Sequence, residues 1–292
     1  MIGIQISDWA NNWAGIAAGL STAAILAHNF WLAAKSEGEG VQSLRLEMNT
    51  GHHFPVSESA IRPERVAEFR MVSETGSAPI SVYQAEGPAL VATIFGPPSG
   101  ILVVALTLHP HPITLEADKF VHYLEDEDAF EFASLHFQSG ITTAPQRERY
   151  SKFAKAIIQS NGQSNGQSNG RSQESAADLS MRAVGHRLEI VPEIEIASIQ
   201  GSGRGGERSG VKLPVRVLFE GEPLAGVRVS SGSEHLNHGA YLAHARTDKN
   251  GQAQLELAVP GHWYLRTHYI RRHPDPQVAE WESFWASLTF RA

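Results

Sequence analysis

The sequence contains no cysteine. Disulfide bonds, thiolate zinc sites, iron–sulfur clusters and cysteine nucleophiles are therefore excluded, and any metal ion would be held by histidine, carboxylate or backbone groups. Methionine is scarce, with 4 residues, whereas histidine is plentiful, with 14. Because imidazole binds copper, nickel, cobalt and zinc well, the histidine content is compatible with a transition-metal site.

Runs of basic residues are also absent. The 24 Lys and Arg residues are outnumbered by 31 Asp and Glu residues, which gives a formal net charge of −7. Non-specific binding of nucleic acid depends on a basic surface. We therefore expect no nucleic-acid partner.

Sequence signatures of catalysis are missing as well. The chain has no Gly-x-Ser-x-Gly nucleophile elbow, no HExxH zinc motif and no glycine-rich phosphate loop between a strand and a helix. Its 292 residues, of which 42% are hydrophobic, are nevertheless enough for two globular domains. We expect a globular protein that is not an enzyme.

The N-terminal segment has the pattern of an export signal. The first 27 residues carry a single charged side chain, Asp8, and residues 13–27 read WAGIAAGLSTAAILA. This run has the length of a signal-peptide hydrophobic region, and Ala27 is small enough to precede a cleavage site. Cleavage would give a periplasmic or secreted protein that begins at His28. The uncharged stretch continues to Ala34, so an uncleaved N-terminal membrane anchor is the alternative.

Patterns of period two dominate both halves of the remaining chain. Leu44, Leu46 and Met48 alternate with polar neighbours, and GILVVALTL is a continuous apolar run. In the second half, alternation places three sets of apolar residues on one face of a strand each: Leu213, Val215, Val217 and Phe219; Ala253, Leu255, Leu257 and Val259; and Phe284, Ala286, Leu288 and Phe290. These patterns predict a mainly β protein with two immunoglobulin-like β-sandwich domains, over residues 28–115 and 181–292.

Between these two regions the hydrophobic period changes to three and four. Phe120, Tyr123 and Leu124 recur at this spacing, as do residues within 150–158, which predicts two helices in a segment over residues 116–160. The chain then reads NGQS, NGQS and NGRS, a polar tract that cannot bury apolar surface. We expect residues 161–180 to form a flexible polar linker.

Motifs that extend from Ala27 to Arg291 carry a family resemblance. They are Ala27, His28, Phe30, Trp31 and Leu32; Gly51, Phe54 and Pro55; Lys119, Phe120, Tyr123, Leu124 and Glu127; Arg149, Tyr150, Ser151, Lys152, Phe153, Ala154 and Lys155; and, near the end, Pro-Gly-x-Trp and Trp-Glu-Ser-x-Trp-Ala-Ser-Leu-Thr-Phe. In order and spacing they resemble the bacterial family DUF4198, whose members have often been labelled nickel transport complex proteins of the NikM type. Asp128 stands where the family pattern usually has glycine.

The resemblance implies an exported protein that binds a transition-metal ion, with a membrane transporter as a partner. The C-terminal part is also similar to carboxypeptidase-regulatory-like modules, which are transthyretin-like sandwiches that usually serve as binding modules or as spacers. These implications favour nickel, cobalt or copper as the bound ion.

His28 is the leading candidate ligand. After cleavage behind Ala27, its free α-amine and its imidazole could chelate one ion, which suits copper(II) or nickel(II). One further histidine would complete a site with three nitrogens. We prefer His268, which the family resemblance most nearly covers and which alternation places on the same strand face as His262, Tyr264 and Arg266.

Three other histidines are weaker candidates for metal binding. His109 and His111 stand in a His-Pro-His-Pro segment, whose prolines favour an extended backbone that displays both rings. The alternative, a polar connection from a strand to a helix, is the one that we favour for this segment. His52 follows Gly51 and precedes a second histidine, without the spacing of a known metal motif.

The sequence thus predicts an exported, non-catalytic protein that binds nickel, cobalt or copper as an accessory to metal uptake. One alternative is a periplasmic binding module for a carbohydrate or a protein partner. The other is an oxidative enzyme that uses a histidine-coordinated copper ion.

Overall fold

The computed structural model describes residues 29–37, 43–129, 131, 143–161, 179–199, 211–235, 243–258 and 260–292. The predicted signal segment and His28 lie outside these residues, as do residues 162–178 of the predicted linker. In the described part of the chain, no helix has the length and apolar character needed to span a bilayer.

Strands make up most of the described residues. In chain order the elements are β1 (Asn29–Glu37), β2 (Ser43–Gly51), a 3-10 turn (Pro63–Arg65), β3 (Val66–Ser73), β4 (Gly76–Pro79), β5 (Gln84–Glu86), β6 (Ala89–Phe95), β7 (Ser99–Leu108), β8 (His111–Leu115), α1 (Ala117–Asp126), β9 (Gln146–Asn161), β10 (Leu188–Pro192), α2 (Ile196–Ile199), β11 (Val211–Phe219), β12 (Glu222–Pro223), β13 (Arg228–Ser233), β14 (Ala243–Arg246), β15 (Gln252–Leu257), β16 (His262–Arg272) and β17 (Trp281–Arg291). The prediction of a mainly β protein with a short helical insert is confirmed.

Three sheets build the fold of the described residues. The N-terminal sheet has the order β1-β2-β6-β5, and the C-terminal sheet contains β10, β11, β12 and β15. The central sheet has the order β14-β13-β16-β17-β9-β7-β3-β4, with β8 added beside β9. Strands from both halves of the sequence therefore share the central sheet. They meet where β17 pairs with β9 in parallel, so that Trp281 lies opposite Glu148.

The central sheet is covered on both faces. On one face, Leu102 and Ala154 pack against the N-terminal sheet in one hydrophobic cluster. On the other face, Phe153, Phe284 and Leu288 pack against the C-terminal sheet in a second cluster. The helix α1 covers a third cluster on the same face as the N-terminal sheet. The result is two sandwiches that share one central layer.

The prediction of a second helix within residues 116–160 is wrong at residues 150–158, because this segment belongs to the long strand β9. Its alternate positions face different layers: Ala154 packs toward the N-terminal sheet and Phe153 toward the C-terminal sheet. A strand buried on both faces has apolar residues at nearly every position, so its spacing also matches a helix. Asn161 extends this strand, and Leu179 is buried in the core, so both ends of the predicted linker belong to the fold.

Candidate functional site

Side chains from distant parts of the sequence meet at the start of β1. The register places Asn29 opposite Gly51 of β2, and Asn29 Nδ2 donates a hydrogen bond to the His52 carbonyl at 3.0 Å. The hydroxyl of Tyr264 donates to Asn29 Oδ1 at 3.3 Å. The Phe54 ring stacks on that of Tyr264 with their centres 5.3 Å apart. We call this region the N-terminal corner, defined by Asn29, Trp31, Gly51, His52, Phe54 and Tyr264.

Close packing explains the glycine in this corner. A Cβ atom at Gly51 would lie 2.5 Å from the Val56 carbonyl oxygen, so a larger residue would displace the backbone. The buried Trp31 ring contacts the Phe54 ring edge-on, with 5.7 Å between their centres. Trp31 and the Gly-x-x-Phe-Pro motif, which are separated in sequence, thus meet in one corner with Tyr264, the residue that follows the Pro-Gly-x-Trp motif.

His52 is held in place by a carboxylate. Its Nδ1 lies 2.8 Å from Glu58 Oε2, and its backbone N–H donates to Glu58 Oε1 at 2.9 Å. The two rings of His52 and His53 have centres 6.2 Å apart. A carboxylate that fixes the orientation of an imidazole is a recurring feature around histidines that bind metals. His52 therefore combines partial exposure with an ordered ring.

A row of buried polar and aromatic side chains lies where β9, β17 and β16 run side by side. The register pairs Lys152 with Trp285, and Trp285 with His268, so the three side chains share one face. The ring centres of His268 and Trp285 are 4.3 Å apart, and Lys152 Nζ lies 5.7 Å from the Trp285 ring. We call this row, with its polar neighbours, the polar seam; the neighbours are Tyr123, Glu127, Glu148, Arg266, Ser283 and Ser287.

His268 is buried within the polar seam, with 7% of its surface exposed. Its Nε2 lies 2.7 Å from the Tyr123 hydroxyl. Burial lowers the pKa of His268 to about 4. Glu127 acts to raise this pKa, whereas Arg266 acts to lower it further. The imidazole is therefore neutral at neutral pH.

An ion pair anchors the end of α1 to β16. Arg266 Nη1 donates to both carboxylate oxygens of Glu127 at 2.9 Å and 3.0 Å. Burial opposes ionisation of Glu127, but Arg266 and the charges around it lower its pKa. Glu127 thus stays ionised beside the neutral His268.

Glu148 is a fully buried carboxyl group. Its Oε1 accepts a hydrogen bond from the Ser283 hydroxyl and lies 3.5 Å from the Tyr123 hydroxyl. Its Oε2 has no hydrogen-bond partner among the described residues. Burial raises the pKa of Glu148 to about 7, despite the hydrogen bonds from Ser283 and Tyr123. The group therefore titrates near neutral pH.

Lys152 lies four residues beyond Glu148 along β9, on the same face. Its ammonium group sits 5.6 Å from the Tyr150 ring and 5.7 Å from the Trp285 ring. Burial, followed by repulsion from Arg65 and Arg266, lowers the pKa of Lys152 to about 7. Buried groups that titrate near neutral pH are common at functional sites, so the polar seam is a site candidate.

A cleft of about 220 Å³ opens beside His268. Its wall includes Asp128, which pairs with Arg246 and has a φ of 57°. Glycine adopts this left-handed conformation without steric cost. The backbone geometry therefore accounts for the glycine that the family pattern usually has at this position.

The other predicted ligands, His109 and His111, belong to neither of these two regions, although the His111 ring contacts the Tyr150 ring beside Lys152. His109 is exposed, and Arg65 Nη2 donates to its carbonyl at 3.1 Å. Burial, with repulsion from Arg65 and Arg62, lowers the pKa of His111. Because guanidinium groups repel a metal cation, these surroundings disfavour a metal loop at His109 and His111. Within the described ranges, no cluster of three or more histidine and acidic side chains could hold a metal ion.

Sequence reasoning missed the acid and the base of the polar seam. Glu148 and Lys152 are four residues apart on a strand and therefore share a face. The interpretation of residues 150–158 as a helix did not predict this arrangement. Lys152 belongs to a family motif, but residues 146–152 read QRERYSK, so the local sequence gives no signal that these charged residues are buried. Tyr123 and Glu127 belong to the family motifs, but the sequence alone predicts no role for them.

Comparisons with known proteins give a family and little more. The model of a family described as a domain of unknown function, DUF4198, matches residues 25–271. No curated protein matches the chain. The solved structures that are similar include the D0-D1 domain of intimin, at 13% identity and a TM-score of 0.20, covering 90% of this chain and 98% of that one. They also include native alpha-2-macroglobulin from Escherichia coli spanning domains MG0-NIE-MG1, at 9% identity and a TM-score of 0.19, covering 83% and 96%.

Proposed function

The chain belongs to the DUF4198 family, and we propose that it is an exported protein that binds a transition-metal ion, nickel, cobalt or copper, as an accessory to uptake by a membrane transporter. The observation that carries the proposal is the contact between Asn29 and the backbone of His52. His28 directly precedes Asn29 in the sequence. The amine and imidazole of a mature N-terminal His28 would supply two nitrogens, and His52 is the histidine whose backbone carbonyl contacts Asn29.

The chemistry of the donor set fits copper(II) or nickel(II). An N-terminal amine with two imidazoles gives a nitrogen-rich site, which these ions favour in tetragonal geometry. Glu58 would hold the His52 ring in orientation through its contact with Nδ1. We therefore assign His52 as the third ligand.

His268 is the competing third ligand. It lies four residues beyond Tyr264 on β16, which corresponds to about 13 Å at 3.3 Å per residue. Tyr264 is the residue of this strand that contacts Asn29. His268 also has Tyr123 at its Nε2, so metal binding there would require that contact to change.

Calorimetric titration with copper(II), nickel(II) and cobalt(II) tests the proposal. Six proteins are compared: the mature protein that begins at His28, a form with one extra N-terminal residue, His28→Ala, His52→Ala, His268→Ala, and His122→Ala as a control on the exposed side of α1. We expect the extra residue and His28→Ala to weaken binding equally, because both remove the terminal chelate. We expect His52→Ala to weaken it and His122→Ala to leave it unchanged.

Two results would contradict the assignment. Equal affinity in all six proteins would remove the metal-binding proposal. Weakening by His268→Ala but not by His52→Ala would move the third ligand to the polar seam.

Export is tested separately. Fractionation of cells that express the native gene, followed by mass spectrometry of the intact protein, should find a periplasmic chain that begins at His28. A full-length cytoplasmic product would contradict both export and the terminal chelate.

A further inference from the structure

A cavity of about 470 Å³ lies where the parallel strands β9 and β17 separate. Their pairing ends at Ala156 and Thr289. Beyond these residues, β9 continues to Asn161 beside β7, and β17 continues to Arg291 beside β16. No strand of the described residues lies between β9 and β17 at this point, so the central sheet opens there. We call this opening the sheet gap, defined by residues 157–159 of β9 and 290–291 of β17.

The layers on both faces of the central sheet contribute to the wall of this cavity. On one face, Leu32 and Leu44 belong to the hydrophobic cluster under the N-terminal sheet. On the other face, Ile157 and Phe290 belong to the cluster under the C-terminal sheet. The hydroxyl of Thr289 donates to the Leu32 carbonyl at 2.7 Å and so holds β1 over the gap. Apolar side chains from both hydrophobic clusters therefore border the cavity.

The ionisable side chains of the wall lie at the mouth of the cavity. Among the described residues that line it, these side chains are Lys35, His262 and Arg291. Lys35 and Arg291 are exposed, and Lys35 Nζ donates to both carboxylate oxygens of Glu47, at 3.0 Å and 3.2 Å. Burial lowers the pKa of His262, although Glu234 acts to raise it, so the neutral imidazole is favoured. The interior of the cavity therefore offers no charged group to a ligand.

The shape of the sheet gap favours a single extended chain. The edge of β9 from Ala156 to Gln159 borders the cavity, over a length of about 13 Å at 3.3 Å per residue. Spread along this length, the volume corresponds to a cross-section of about 36 Å². A further β-strand would need roughly 48 Å², given the usual spacings of about 4.8 Å between strands and about 10 Å between sheets. The gap is therefore too narrow for a peptide strand, whereas an aliphatic chain without side groups is slimmer.

We propose that the sheet gap binds the aliphatic chain of a neutral single-chain amphiphile, such as a fatty alcohol. The volume lies within the range of ligand pockets, roughly 300–1,000 Å³. The chain would contact Leu32, Ile157 and Phe290, which would remove its apolar surface from water. The polar head would hydrogen-bond at the mouth, where backbone groups of β9 have no strand partner in the described part of the chain. The proposal is independent of metal binding, because it uses neither His28 nor His52.

Quenching of tryptophan fluorescence by decanol that carries a terminal bromine atom tests the proposal. Trp263 is buried in the cavity wall, so a bromine atom in the gap should quench it. A metal chelator is present throughout, so that the result does not depend on metal binding. We expect saturable quenching in the wild type, most of which is lost in Trp263→Phe. In calorimetry with unlabelled alcohols, the dissociation constant should fall about fourfold per added CH₂ group from hexanol to decanol.

Two substitutions that fill the cavity provide the decisive comparison. Ala34→Phe on β1 and Ala197→Phe on α2 each add a ring to the wall, from opposite faces of the central sheet. We expect each to raise the dissociation constant for decanol at least tenfold. The matched control is Ala85→Phe on the exposed edge strand β5, which should leave the constant unchanged. A Tm close to that of the wild type shows that each variant is folded.

Crystals of the complex with the bromine-labelled alcohol locate the chain directly. The anomalous signal should lie in the sheet gap, between Ile157 and Phe290. The proposal would be overturned by a lack of saturable quenching, by equal affinity of Ala34→Phe, Ala197→Phe and the wild type, or by a peptide segment in the gap. Binding of decanoate more than tenfold tighter than that of decanol would overturn it too, because the cavity would then select a charged head group.

Discussion

The ammonium group of Lys155 lies 2.6 Å from the carboxylate of Glu189, and both side chains are 2% exposed. Lys155 belongs to β9 of the central sheet and Glu189 to β10 of the C-terminal sheet. The same carboxylate accepts hydrogen bonds from the backbone N–H groups of Val184, Gly185 and His186. This buried pair therefore joins two layers and the loop between them.

Removal of one partner should destabilise the protein strongly. We expect Lys155→Met to lower the free energy of unfolding by about 3–5 kcal/mol, because it leaves the buried Glu189 carboxylate without its counterion. The double variant Lys155→Met/Glu189→Leu should recover part of this loss, since no unpaired charge then remains. Urea denaturation of the three proteins measures these differences.

The exposed pair of Arg187 and Glu220 provides the control. Glu220→Gln should change the free energy of unfolding far less than Lys155→Met does, because solvent screens exposed ion pairs. If Lys155→Met had an effect as small as this one, the pair would not contribute to the joint between the layers.

The patterns of period two predicted the mainly β fold, because most strands bury one face more than the other. Leu44, Leu46 and Met48 all point into the core as their alternation indicates. The central strand β9 escaped detection because it is buried on both faces, and Phe153 and Ala154 are both in the core. The local sequence also could not predict that strands from both halves share the central sheet, because the pairing of β9 with β17 joins residues that are far apart in the chain.

The candidate site was predicted only in part. Sequence analysis identified Trp31, Gly51 and Phe54 only as motif residues, and the structure shows that they pack closely around one corner. The polar seam could not be predicted, because the pKa values of Glu148 and Lys152 depend on burial by α1 and the N-terminal sheet. Burial of this kind is a property of the tertiary structure.

The last strand provides a test of the core. Phe290 of β17 is buried among residues of the C-terminal sheet. We expect Phe290→Ala to lower the free energy of unfolding by about 3–5 kcal/mol, as large-to-small core substitutions do. Phe95→Ala, at an exposed phenylalanine, should have a much smaller effect in the same urea titration. Similar losses in both variants would show that Phe290 is not in the core.

Glu148 should make stability depend on pH. Its pKa is raised in the folded state from 4.5 to about 7, so the unfolded chain loses this proton at lower pH than the folded protein does. Its contribution to stability is therefore fully present below pH 4.5 and is lost as the pH rises through about 7.

Glu148→Gln should remove this loss, since the amide does not titrate. The free energy of unfolding of the variant, minus that of the wild type, should rise by a few kcal/mol between pH 4.5 and pH 7, at about 1.4 kcal/mol per unit of pKa shift. Effects of groups on which Glu148 does not act, such as His268, occur in both proteins and cancel in the difference. Parallel curves of stability against pH would show that Glu148 ionises as easily in the folded protein as in the unfolded chain.

The proposed terminal chelate should bind metal with a pH dependence that an internal histidine site lacks. A free α-amine has an ordinary pKa of about 7.7–8.0 and binds a metal ion only after it loses its proton. Between pH 6 and pH 7.5, copper(II) should therefore displace one more proton from the mature protein than from the form with an extra N-terminal residue, in which His28 keeps its imidazole but has no free amine. Calorimetry in buffers of different ionisation enthalpy counts these protons. The same number released from both forms would mean that the amine is not a ligand, and that the ion is held by side chains alone.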